Sequence, residues 1–317
     1  MLFYAKIAKG YIPKVFFDAI STNIQKVPII LSPDGMIIRV ADNRDSVPDA
    51  HSLWDTTWED RGFAQYKCDE IGTISINTKH LRDMLKNIKQ KDSITFFIKK
   101  NAKNQIGIII QSVSPQTEDS IIQSETVSLS IQWEKNYIAP DLPNKYKDES
   151  NTLNDAYGKP MKIPSTSFQK IKKMTRVCKT VVSVKIQGSN YASFSVGDSS
   201  VMGCFLEFGE LEGISEKDTD LEDCNSIYEK DFDISLFGPL VKLPGMCQQM
   251  EFYAPKVNNY PLKVIVRAKS GLCDVTVFIK DKEQIAYTEE AKKKKLEELN
   301  VKSSKTTTTT KGKKGKA

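Results

Sequence analysis

Residues 164–179, PSTSFQKIKKMTRVCK, hold five basic side chains and no acidic one. Phe168, Ile171, Met174 and Cys178 fall at helical spacing, which leaves Lys170, Lys172, Lys173 and Arg176 on the other face. A cationic helix face of this kind stabilises nearby phosphates and releases condensed counterions without reading base sequence. Other chemistry is thinly represented. The six cysteines lie 20 or more residues apart, no CxxC occurs, and there are only two histidines, His51 and His80. That is not a zinc pattern, and the cysteines read as buried thiols in a reducing compartment. The acidic run DTDLED (218–223) could attract a cation, but a metal-dependent nuclease needs carboxylates gathered on strands near a base. GxxxxGK[ST], GxSxG and HExxH are all absent. The expectation is a binding protein rather than an enzyme, with no catalytic residues, no metal and no cofactor.

The charge is segregated. Residues 286–317 carry ten lysines and four glutamates, which accounts for the whole formal charge of +6. The other 285 residues hold 36 basic and 36 acidic side chains. Eleven of those acids sit in 207–233 against two lysines, and more collect in 42–60. Basic residues instead follow helical segments, as expected of a surface that meets a polyanion.

Four segments have helical periodicity: 12–24, 77–90, 165–178 and 233–246. Asn77 caps the second and Ser165 or Ser167 the third, while Pro239 and Pro244 shorten the fourth. Alternating β-branched and aromatic runs lie between them, among them VPIILS, MIIRVA, GTISIN, SITFFIKK, QIGIIIQSV, TVVSVKIQG, YASFSVG, LKVIVRA and CDVTVFIK. The helix starts repeat after about 155 residues, and KGYIPKVFF (9–17) is echoed by PMKIPSTSF (160–168). This spacing predicts a duplicated unit, each half having two helices and several strands. Domains are expected at 1–134 and 161–285, joined by a polar, proline-bearing linker at 135–160. A Lys/Thr-rich tail at 286–317 has too little apolar content to build a core. No apolar run is long enough to cross a bilayer, and the opening MLFYAKIAKGYIPK lacks the long apolar stretch of a secretory signal.

In this order the segments resemble the sliding clamps of the proliferating cell nuclear antigen (PCNA) type. The resemblance is carried chiefly by GFAQYKCDEIGTISINTKHLRDMLKNIKQKDSITFFIKK (62–100), where the family has Gly-Phe-x-x-Tyr-x-Cys-Asp followed by a strand, a helix and an Asp-x-Ile-Thr strand. FYAKIAKGYIPKVFFDAI, 161–197 and 260–280 agree with the family in order. The resemblance implies an α+β DNA clamp fold: two similar domains, each with two helices backed by antiparallel sheets, and chains joined head to tail, usually as a homotrimeric ring. Helices would line the hole and face double-stranded DNA. Matching channel positions gives Lys14, Lys86, Lys170, Lys173 and Lys242; the helix faces add Lys89, Lys172 and Arg176. The family also implies a pocket beneath the linker for the peptide motifs of DNA polymerase and other partners. Here its lining is expected from Ala41, Ile138, Leu142, Val277 and Ile279. A clamp loader is a further implied partner, and the nucleus, or a viral replication site, the implied location. A specialised clamp, either a checkpoint-type ring subunit or one linked to transcription, is the alternative. A DNA-processing nuclease and an adaptor without DNA stand further off. The sequence departs from the family in its long linker, its expanded 43–60 region, the ending FIKDKEQI and the extra tail.

Overall fold

A computed structural model describes residues 1–42, 50–113, 122–147, 152–177, 180–198, 202–210, 227–290 and 293–294. The first half runs β1 (Phe3–Ile7), α1 (Tyr11–Ile20), β2 (Lys26–Ser32), β3 (Gly35–Ala41), β4 (Ser52–Glu59), β5 (Gln65–Cys68) and β6 (Gly72–Asn77). It continues with α2 (Thr78–Leu85), β7 (Ser93–Lys99), β8 (Ala102–Val113), β9 (Ile122–Ser130) and β10 (Gln132–Glu134). A short hairpin, β11 (Lys145–Lys147) with β12 (Leu153–Asp155), lies within the linker. The second half runs β13 (Met161–Pro164), α3 (Ser165–Phe168), α4 (Ile171–Val177), β14 (Val181–Gln187), β15 (Tyr191–Asp198) and β16 (Met202–Gly209). It ends with β17 (Ile227–Asp233), α5 (Ile234–Leu240), β18 (Gln249–Tyr253), β19 (Leu262–Arg267) and β20 (Cys273–Ile279). One more helical stretch, α6, covers 282–290.

The duplication is visible in the strand pairing. In the first half β1 pairs with β7, β2 with β3 and β6, β3 with β4, and β7–β8–β9 follow as a meander. In the second, β13 pairs with β18, β14 with β15 and β17, β15 with β16, and β18–β19–β20 follow as a meander. The halves fuse where β4 pairs antiparallel with β20, Trp54 opposite Val277 and Trp58 opposite Cys273. A nine-stranded sheet, β10-β6-β2-β3-β4-β20-β19-β18-β13, therefore runs through both halves. Its inward residues, including Trp54, Trp58, Val275, Val277 and Ile279, join one continuous core with the helices. The tight β2–β3 connection needs its glycine: Gly35 has φ of +138°, and a Cβ there would lie 2.1 Å from the Trp58 carbonyl oxygen.

Several expectations change. The helices are shorter than their periodic segments. The second stops at Leu85, so Lys86 is its C-cap and Lys89 lies beyond it. The third is split into α3 and α4, with Lys170 in the turn between them. Neither Ser165 nor Ser167 caps it. Pro164 holds the N-cap position, and the Ser165 hydroxyl donates to the Cys247 carbonyl (3.0 Å). Asn77 does cap α2, accepting from the His80 amide (3.0 Å). The fourth helix ends one residue after Pro239, and a 3-10 turn, Leu243–Gly245, follows. The acid-rich 42–60 contains β4, and 207–233 contains β17; of these two regions, 43–49 and 211–226, with DTDLED, lie outside the described residues. The linker is not featureless, since it carries the β11–β12 hairpin. The expected boundary at 285/286 falls inside α6, and 295–317 of the tail lie outside the described residues. Cys247 and Cys273 are buried free thiols, whereas Cys68 and Cys204 are only half-buried. Cys178 and Cys224 are outside the described residues.

Candidate nucleic-acid interface

The helices pack into one layer in the order α2–α1–α5–α4, with α1 also against the 3-10 turn. Burial forces this arrangement. α1 sinks Ile12, Val15, Phe16, Phe17, Ala19 and Ile20 into the core, leaving the stripe Tyr11, Lys14 and Asp18 half-exposed. α4 buries Ile171 and Met174, leaving Lys172 and Lys173 exposed. Apolar residues thus set where the cations point, as the helical spacing required.

The expected DNA-facing residues divide by their surroundings. Lys86, Lys89, Lys170 and Lys173 are exposed. Lys14 instead donates to the Ile88 carbonyl (2.8 Å), and its ammonium lies 5.6 Å from the centre of the Tyr11 ring. Lys242 reaches across from the end of α5 to α1. It meets the Asp18 carboxylate (3.2 Å), the Asp18 carbonyl (3.0 Å) and the Thr22 hydroxyl (3.2 Å). A groove of about 420 Å³ at this crossing brings Lys14, Lys172 and Lys242 together around Asp18 and Tyr11. Arg176 lies in α4, but its side chain is not among those described. Among the described residues, no group of three or more His, Cys, Asp or Glu is placed to hold a metal ion.

On the other face of the nine-stranded sheet, the expected peptide-pocket residues are not all brought together. Ala41 and Ile138 share a groove of about 1090 Å³ with Tyr137 and Pro140. There the Tyr137 hydroxyl donates to the Arg39 carbonyl. Leu142 belongs to a separate aromatic cluster built on Ala156, Tyr157 and Phe278, with Leu53, Tyr146, Tyr253 and Tyr260 around it. Val277 and Ile279 line neither site; both are fully buried in the main core. The cause is strand alternation: Phe278 faces the linker, so its neighbours on either side must face inward. Tyr157 is the centre of this cluster. Its ring packs on Phe278 (centroids 6.2 Å apart), its hydroxyl donates to the Pro261 carbonyl (2.8 Å), and Lys263 sits over it at 4.6 Å. Burial pushes the Tyr157 phenol up and the Lys263 ammonium down from their ordinary values. Tyrosines inside a polar linker were the available signal for this cluster; they need apolar cover for the ring and a partner for the hydroxyl.

Residues 2–134 match the model for the proliferating cell nuclear antigen N-terminal domain. "Probable DNA polymerase sliding clamp 1" of Paramecium bursaria Chlorella virus 1 is 23% identical over 270 residues, covering 83% of this chain and 90% of that protein. Residues 2–134 are thus similar to the PCNA N-terminal domain, and the viral relative extends the likeness to sliding clamps over most of the chain. The "DNA polymerase sliding clamp" of Cenarchaeum symbiosum is 27% identical over 108 residues, 34% of this chain and 42% of its relative. The fold agrees over most of the chain. The crystal structure of the proliferating cellular nuclear antigen from Entamoeba histolytica superposes with a TM-score of 0.66 at 15% identity, covering 89% of this chain and 99% of that one.

Proposed function

We propose that this chain is a DNA sliding clamp: a processivity factor that closes head to tail around duplex DNA and tethers a DNA polymerase and other peptide-bearing partners. The observation that carries the reading is the duplicated strand plan. Inside the chain β4 and β20 pair edge to edge. Their counterparts in the repeat are β16 and β9, and each ends its sheet without a further strand among the described residues. Two such edges on one molecule favour the same junction between successive copies, and a heterologous contact of this kind closes into a ring when the rotation permits. Six repeated units from three chains are the homotrimer expected of the family. The helices then share the inner wall, with Lys86, Lys89, Lys170 and Lys173 exposed to phosphates, Lys14 and Lys242 more tightly held, and Lys172 and Arg176 assigned to the same wall by the helix face. These contacts carry no base information, so they exchange as the ring moves. Tethering raises the local concentration of a polymerase at the primer end. Partner peptides are assigned to the linker side of the sheet, at the groove of Ala41 and Ile138 and the adjoining Leu142–Tyr157–Phe278 cluster.

Retention on DNA tests the reading. After loading by the clamp loader of the same source, the protein should stay on closed circular DNA and leave once the circle is cut. Equal loss from both forms would refute encirclement. In a primer-extension assay with the loaded protein, Lys170→Glu with Lys173→Glu should lower polymerase stimulation at least about tenfold, since two phosphate contacts become repulsions. Unchanged stimulation would remove the helix layer from the DNA path and favour an adaptor that works without DNA.

A further inference from the structure

The groove where α1 meets the end of α5 contains one carboxylate among three lysines. Asp18 holds the Lys242 ammonium through its own side chain and backbone carbonyl, and Thr22 adds a third oxygen. Lys14 and Lys172 line the same groove. Both members of the pair remain reachable from solvent, with 36% of the Lys242 side chain and 42% of the Asp18 side chain exposed. Nothing in the packing demands an acid at position 18. It sits on the half-exposed stripe of α1 rather than on the buried face.

We propose that Asp18 acts as an intramolecular rival to DNA phosphate for Lys242, lowering the affinity of the helix layer and keeping its contacts brief. This rests on the sliding-clamp reading above. A phosphate approaching Lys242 must displace three oxygens that already satisfy its three N–H donors. Exposed pairs of this kind are weak, so the rival slows capture without forbidding it. Because Asp18 belongs to the first half and Lys242 to the second, the same pair also bridges the halves; that structural role is the competing explanation.

The test uses the assembled ring and a short linear duplex, with affinity measured by anisotropy over a range of salt. Asp18→Asn should bind about threefold tighter, the scale of an exposed ion pair. Its salt dependence should steepen by about 0.9 in log–log slope, as one more phosphate is neutralised. Lys242→Gln should reverse the gain in the Asp18→Asn background and change affinity much less in the native background. Asp18→Asn with unchanged affinity, or Lys242→Gln costing the same in both backgrounds, would overturn the proposal. A lowered melting temperature without an affinity gain would assign the pair to bridging alone. Lys170→Glu with Lys173→Glu serves as the control. If it weakens duplex binding while Asp18→Asn does nothing, only this inference fails; if it too does nothing, the reading of the helix layer fails.

Discussion

The β4 strand at its junction with β20 and the β16 strand are two versions of one element: β4 is covered on both sides, whereas β16 ends its sheet among the described residues. At the junction Trp54 and Trp58 are almost wholly buried, as are Val277 and Cys273 across from them. On β16 the corresponding inward side chains, Cys204, Leu206 and Phe208, are only partly buried, and Phe205 on the other face is 55% exposed. Neighbours differ far more than composition does. Both strands carry aromatic residues inward, but among the described residues only β4 has a strand on each side. A monomer would gain little from apolar residues on an open edge, and such edges invite pairing. Their presence on β16 suits the head-to-tail joint proposed above.

This contrast can be broken most severely at the junction. Val277→Asp places an unpaired carboxylate in the core. It should cost more than about 3 kcal/mol and leave little soluble folded protein, seen as loss of the cooperative thermal transition. Cys204→Asp makes a similar change at the free edge and should act differently. The chain stays folded by circular dichroism, while the assembly mass in native mass spectrometry falls to that of a single chain. A Cys204→Asp variant that keeps its full assembly mass would show that β16 is not a joining edge. The smallest effect concerns the outer cover of the junction. Tyr157→Phe removes one hydrogen bond to Pro261 but keeps the ring on Phe278, so urea unfolding should report a loss of about 1 kcal/mol. A much larger loss would mean that the linker cluster contributes more to joining the halves than its packing suggests.

The sequence revealed the repeat, the positions of the helices and most of the central strands, because these depend on local periodicity. It was least informative where long-range pairing decides the structure. β4 lies in a stretch rich in aspartate and threonine, SLWDTTWE, whose inward Trp54, Thr56 and Trp58 are buried only because β3 and β20 flank them. β17, IYEKDFD, has one fully buried residue, Phe232, and owes its extended form to β14. The basic helix positions were legible, since an apolar stripe fixes the opposite face. The engagement of Lys242 by Asp18 was not, because the two are 224 residues apart. Two of the five expected pocket residues differ by a single step of register: Phe278, not Val277 or Ile279, meets the linker.

The nine-stranded sheet has a mechanical consequence. Within each chain the backbone ladder crosses from one half to the other, so the two halves behave as a stiff link with no natural hinge at their boundary. In the ring proposed above, a gap wide enough to admit a double helix would therefore open between neighbouring molecules rather than by bending one of them. In that proposed ring, the places easiest to unfasten would be the joints between separate chains.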